Sequence, residues 1–189
     1  EVVPGVSSVV AGPNYAGIPL THREHCSSFT VFTGHENPGG EETALRYDQI
    51  ANIPGTKVVL MGMKRLREWA ESLVAHGMAP DTPVAMIRHA TTGRQQSIVG
   101  TLATIAALAE KEKFSPPVVT IIGDVVKLRK KLNWFENRPL FGQRVVVTRA
   151  REQAGRLAEA LTELGAEVLE IPTIKVAPPT RKQEIVDAL

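Results

Sequence analysis

Cys26 is the only cysteine, so no intrachain disulfide can form, and the paired-cysteine spacing of a zinc site is missing. Charge bias is missing too: a formal net charge of +2, spread along the chain, gives no ground for a nucleic-acid partner. No apolar run approaches the roughly 20 residues that a membrane-spanning helix needs. The opening Glu1-Val2-Val3-Pro4-Gly5 has no basic segment ahead of an apolar core, as a signal peptide would, so the cytoplasm is the default compartment. Walker loop, nucleophile elbow and complete dinucleotide fingerprint are all absent, and spacing alone therefore names no enzyme. What is present is ordinary soluble composition, 43% apolar and 22% charged, over 189 residues. That length provides one full core and part of a second.

The chain starts without Met, and Val2-Val3 running into Pro4-Gly5 reads as the end of a strand that begins upstream. A piece of a longer protein is expected. Small and apolar residues predict a helix over 6–16, with Pro13 bending it or ending it early. Aromatic and β-branched residues at 29–33 predict a strand, followed by a polar loop to about Thr43. A strand at 57–61 leads into a helix in which Leu66, Trp69, Ala70, Leu73 and Val74 recur at helical spacing, and Gly77 stops it. Further strands at 83–87, 96–100 and 117–122, with an apolar helix at 102–109, complete an α/β alternation. Between Phe135 and Gly142 a fresh pattern begins: strand 144–148, helix 151–164, strand 167–171. A single βαβ unit cannot bury both faces of its sheet, so this second unit is expected to be incomplete.

His22, His25 and His35, with Glu24 and Glu36, supply imidazole and carboxylate groups of the kind zinc accepts. They stand in irregular segments without a helical scaffold, which favours solvated loop histidines, and no metal is expected.

Three strings carry more information: Val2-Val3-Pro4-Gly5-Val6-Ser7-Ser8, then Tyr15-Ala16-Gly17-Ile18-Pro19-Leu20-Thr21-His22-Arg23, then 29–33 with Gly34-His35-Glu36. Together with Leu60-Met61-Gly62, Asp81-Thr82-Pro83-Val84-Ala85, Thr91-Thr92-Gly93-Arg94-Gln95-Gln96, the run from Gly123 to Arg129 and Leu132-Asn133-Trp134-Phe135, they resemble the uroporphyrinogen-III C-methyltransferases of the tetrapyrrole methylase family. The resemblance covers about the first 135 residues in order.

It implies that residues 1–136 are the C-terminal lobe of such an enzyme, a mixed sheet of about five strands flanked by helices, whose partner lobe lies upstream. It implies S-adenosyl-L-methionine as methyl donor, S-adenosyl-L-homocysteine as its product, and C-methylation of uroporphyrinogen III to precorrin-2 on the siroheme or cobalamin route. By matching position, Ser7, Ser8, Met61 and Ala90 are the cofactor-binding candidates, Ala90 standing where the family commonly has glycine. An octacarboxylate substrate needs cations, for which Arg23, Arg88 and Arg94 are the candidates. The plain alternatives are a helix cap at Ser7, core packing at Met61 and solvated charges at the arginines. No catalytic residue is assigned, since any acid or base belongs to the other lobe. A homodimer in the full-length protein is implied, with no membrane partner.

Residues 137–189, with Arg138-Pro139-Leu140-Phe141-Gly142, the run from Arg144 to Arg149 and Leu164-Gly165-Ala166-Glu167-Val168, are similar to the start of a uroporphyrinogen-III synthase. A fusion of consecutive enzymes follows from the two resemblances, and this chain alone is expected to be inactive. The alternatives are methylation of another tetrapyrrole and a non-catalytic dimerisation module.

Overall fold

A computed structural model describes residues 1–34 and 45–175. His35 and Glu36 of the histidine-rich segment lie outside the described residues. In chain order the elements are α1 (Ser8–Tyr15), β1 (Phe29–Thr33), α2 (Tyr47–Asn52), β2 (Thr56–Leu60), α3 (Leu66–Ala75), β3 (Pro83–Arg88), β4 (Gln96–Thr101), α4 (Ile105–Lys111), β5 (Val118–Ile122), α5 (Arg129–Leu132), β6 (Arg144–Val147), α6 (Arg151–Glu163) and β7 (Glu167–Glu170).

Five strands form one mixed sheet in the order β1-β2-β5-β3-β4. β1 runs parallel to β2, and the other pairings are antiparallel. The interior strands read as continuous apolar runs because both of their faces are covered. On one face Phe32, Val59, Val84, Met86 and Ile122 meet Ile50 of α2, Trp69 and Leu73 of α3 and Ile105 of α4. On the other, Val58, Ala85, Ile87, Val119 and Ile121 pack with Val9 of α1 and with Val125 and Val126. Each interior strand thus alternates its side chains between two separate cores.

α1 closes two residues past Pro13, where the Gly17 and Ile18 N–H groups donate to the Asn14 and Pro13 carbonyls. α4 starts at Ile105 rather than 102: the Leu102 and Ala103 N–H groups donate to Thr82 and Pro80, which ties that stretch to the preceding loop. α2 shows no period in the sequence because it is a six-residue helix, with Tyr47 and Ile50 as its buried residues.

β6 and β7 pair in parallel as a separate two-stranded sheet, with α6 packed through Ala154 and Ala158. Val146 stays half exposed on the uncovered side. Gly93 sits against the backbone of this unit, since a β-carbon there would come within 2.5 Å of the Glu167 nitrogen. Only glycine permits that approach.

Candidate functional site

β1, β2 and β3 end along one edge of the sheet, where β5 begins. Thr33 pairs with Leu60, Leu60 and Ile87 with Val119, and Arg88 with Val118. Met61 and the loop after Arg88 therefore leave the sheet at the same level. Met61 has φ 54°, a left-handed conformation that disfavours an unbranched side chain less than a β-branched one but still costs about 1–2 kcal/mol. Neighbouring contacts hold it there. The Gly34 N–H donates to the Leu60 carbonyl at 2.7 Å, and the buried Trp69 indole donates to the Gly62 carbonyl at 2.9 Å. The Met61 side chain is left 65% exposed, unlike the residues before it in β2.

The loop after β3 is held in a similar way. His89 and Thr91 both have positive φ, 48° and 70°, on either side of Ala90. The Thr91 N–H donates to Gln95 Oε1 at 2.9 Å, and the Thr92 hydroxyl donates to the His89 carbonyl at 2.8 Å. Gln95 is buried and in turn donates to the Tyr15 carbonyl and to Glu136 Oε1. Glu136 also accepts from the Ser97 hydroxyl at 2.6 Å and pairs with Arg129, whose Nη1 donates to the Ala16 carbonyl. Burial pushes the Glu136 carboxyl up, but the hydrogen bonds from Ser97, Gln95 and Arg129 outweigh it and hold the group below its ordinary value.

α1 crosses this edge. Its last residue, Tyr15, meets Gln95 beside β4; Gly12 lies on Val119 of β5 and against Ala90; and Val9 is buried in the core beneath. A β-carbon on Gly12 would lie 2.8 Å from Val119 Cγ1, so the helix can come this close only without one. Ser7 caps α1, its Oγ accepting the Val9 N–H at 3.2 Å. Ser8 opens the first turn, exposed. Val6 and Val10 beside them are exposed as well, while the Val9, Val10 and Ala11 N–H groups are all taken by Ser7.

Of the cation candidates, Arg88 and Arg94 stand together at this edge, lining one groove with His89. Arg94 pairs with Glu167 at 2.9 Å. Arg23 does not join them. Its turn is closed by the His22–Cys26 bridge, and Cys26 shares a hydrogen bond with Thr56 at the start of β2, five residues from Met61 and about 17 Å along the strand. His25 lines a concavity at that opposite edge with Thr56, Pro83 and Gly123. Among the described residues no group of three His, Cys, Asp or Glu is placed to hold a metal ion. No helix among them is long and apolar enough to cross a membrane.

Sequence reasoning quoted Gln95 without a role and missed Glu136 altogether. The pair is 41 residues apart, and no local period connects them.

A five-stranded mixed sheet flanked by helices on both faces is the α/β architecture that these residues build. The sequence profile of the tetrapyrrole (corrin/porphyrin) methylases matches residues 1–106, and the chain belongs to that family. It is 54% identical over 128 residues to the S-adenosyl-L-methionine-dependent uroporphyrinogen III methyltransferase of Methanosarcina barkeri, covering 68% of this chain and 50% of that protein. It is 38% identical over 188 residues to the porphyrin biosynthesis protein HemD of Ruminiclostridium josui, covering 100% of this chain and 37% of that protein. The uroporphyrin-III C-methyltransferase of Thermus thermophilus, solved with S-adenosyl homocysteine, superposes with a TM-score of 0.56 at 33% identity, over 68% of this chain and 54% of that one. The chain thus spans about half or less of the length of these curated relatives.

Proposed function

We propose that the protein is an S-adenosylmethionine-dependent C-methyltransferase that converts uroporphyrinogen III to precorrin-2, and that residues 1–136 form the C-terminal wall of its cleft. The observation that carries this reading is the edge at which Met61 and the loop holding Ala90 leave the sheet at one level, with the Met61 side chain exposed and Gly12 of α1 set against Ala90. The likeness to the Thermus thermophilus enzyme, solved with the spent donor, and to the Methanosarcina barkeri methyltransferase supports it.

The residues fit such a donor. Met61 offers an exposed thioether surface to a nucleoside or a sulfonium neighbour. Ser7 Oγ accepts the Val9 N–H and keeps its own proton to donate. Ala90 adds one methyl group where the family commonly has glycine, and it already packs beside Gly12. S-adenosylmethionine supplies a methyl group on a sulfonium sulfur and leaves as S-adenosylhomocysteine. This chain's part is to hold and orient, with alignment of the reacting carbon as the main gain. Arg88 and Arg94, rather than Arg23, grip substrate carboxylates. Residues 137–189 are the opening of a uroporphyrinogen-III synthase domain, a reading supported by the 188-residue match that runs through this unit in the Ruminiclostridium josui protein. The complete enzyme works as a homodimer in the cytoplasm.

The test is anaerobic incubation of the protein carrying both lobes with uroporphyrinogen III and S-adenosylmethionine, followed by mass spectrometry of the tetrapyrrole. Gain of two methyl groups is expected. An unmethylated tetrapyrrole beside an active control enzyme contradicts the reading.

A further inference from the structure

The junction between the first 136 residues and the βαβ unit contains a groove of about 440 Å³ whose rim includes Arg88, His89, Arg94, Gln96, Arg144 and Glu167. Both units contribute to it. Glu167, on β7, forms an ion pair with Arg94 Nε at 2.9 Å through one carboxylate oxygen and accepts a hydrogen bond from Arg144 Nε at 2.7 Å through the other. One carboxylate therefore fixes two guanidinium groups by their Nε edges, and their Nη groups have no partner among the described residues. The Arg88 guanidinium makes no hydrogen bond or ion pair among the described residues, although its Nε is buried. Buried, unpartnered donors of this kind are uncommon in folded proteins and mark places where a ligand completes the bonding. Three guanidinium groups face one carboxylate, an excess of positive charge that solvent only partly screens in a concave site.

Desolvation, with the charges of Arg88 and Arg94 added, lowers the His89 pKa, so the imidazole stays neutral and does not contribute to the charge. The groove therefore presents planar, bidentate donors, which match carboxylate geometry better than a single lysine would. It is too small for a whole macrocycle and suits one edge bearing neighbouring carboxylate arms.

We propose that this groove binds adjacent carboxylates of a polycarboxylate ligand, using Arg88 and Arg94 from the first unit and Arg144 from the second. The second unit then completes an anion site that neither unit forms alone. Glu167 acts as a positioning residue that holds two of the three arginines. The inference rests on the methyltransferase reading for the ligand's identity, a carboxylated tetrapyrrole, and not for the site's existence.

The test titrates the 189-residue chain with uroporphyrin I, a stable octacarboxylate, and follows porphyrin fluorescence. Saturable binding is expected, competed by tricarballylate and weakened by 0.5 M salt at a screening length of about 4 Å. Arg144→Ala, an exposed position that should fold normally, should weaken binding about tenfold, and Arg144→Lys about threefold, because charge is kept while the bidentate contact is lost. Arg67→Ala removes equal charge beside Glu110 on the far face and should change nothing. No saturable binding, an unchanged affinity in Arg144→Ala, or displacement by millimolar inorganic phosphate but not by tricarballylate would overturn the proposal. The methyl-transfer assay reads none of these, so the two readings fail separately.

Discussion

Met61 combines a strained backbone with an exposed side chain, so its place in the fold and its proposed contact with the donor can be tested separately. Replacing it with glycine removes the left-handed penalty and little burial, so Met61→Gly should keep stability or raise it by up to about 1 kcal/mol in urea unfolding. A core methionine would instead cost about 2–5 kcal/mol on truncation. Glu136 behaves in the opposite manner. Its folded pKa lies below the ordinary 4.5, so its contribution is fully present above that value and is lost as pH falls through the folded pKa. Glu136→Gln should lower stability near pH 7 by about 1–3 kcal/mol and flatten the acid limb of the stability curve below pH ~4.5. Met61 was legible because the resemblance fixed its place at a strand end. Glu136 was not, because its worth depends on Gln95, Ser97 and Arg129, partners brought close only by folding.

At the scale of elements, α1 decides how close a helix start can come to the strand edge. Gly12→Leu should push it off Val119 and cost about 1–3 kcal/mol by thermal unfolding, whereas substitution of the exposed Val10 should stay within about half a kcal/mol. The strands and the longer helices were readable from periodicity, since Leu66, Trp69 and Leu73 repeat on one face and the interior strands are apolar runs. The start of α4 was not readable. Leu102 continues the apolar pattern, but its N–H is taken by Thr82 from another loop, a tertiary contact that overrides the local pattern. Arg23 stands apart from Arg88 and Arg94 in a way the sequence does not reveal: the bond between Cys26 and Thr56 carries its turn to the far edge.

Over the whole molecule, burial is uneven in an informative way. The interior strands of the five-stranded sheet are covered on both faces, while Met61 is exposed at the strand-end edge. Apolar surface left open at strand ends, beside a helix start, is where α/β folds place ligands. The βαβ unit meets the same side through Gly93 and Glu167, which brings the appended unit next to the proposed substrate arginines. The central claim is that this edge is one wall of a methyl-donor cleft. Its most direct test is calorimetric titration of S-adenosylhomocysteine into the protein carrying both lobes, as wild type and as Met61→Gly. The account predicts saturable binding that weakens about tenfold in the variant while its thermal stability is unchanged or higher. Equal affinity in the two proteins would contradict it.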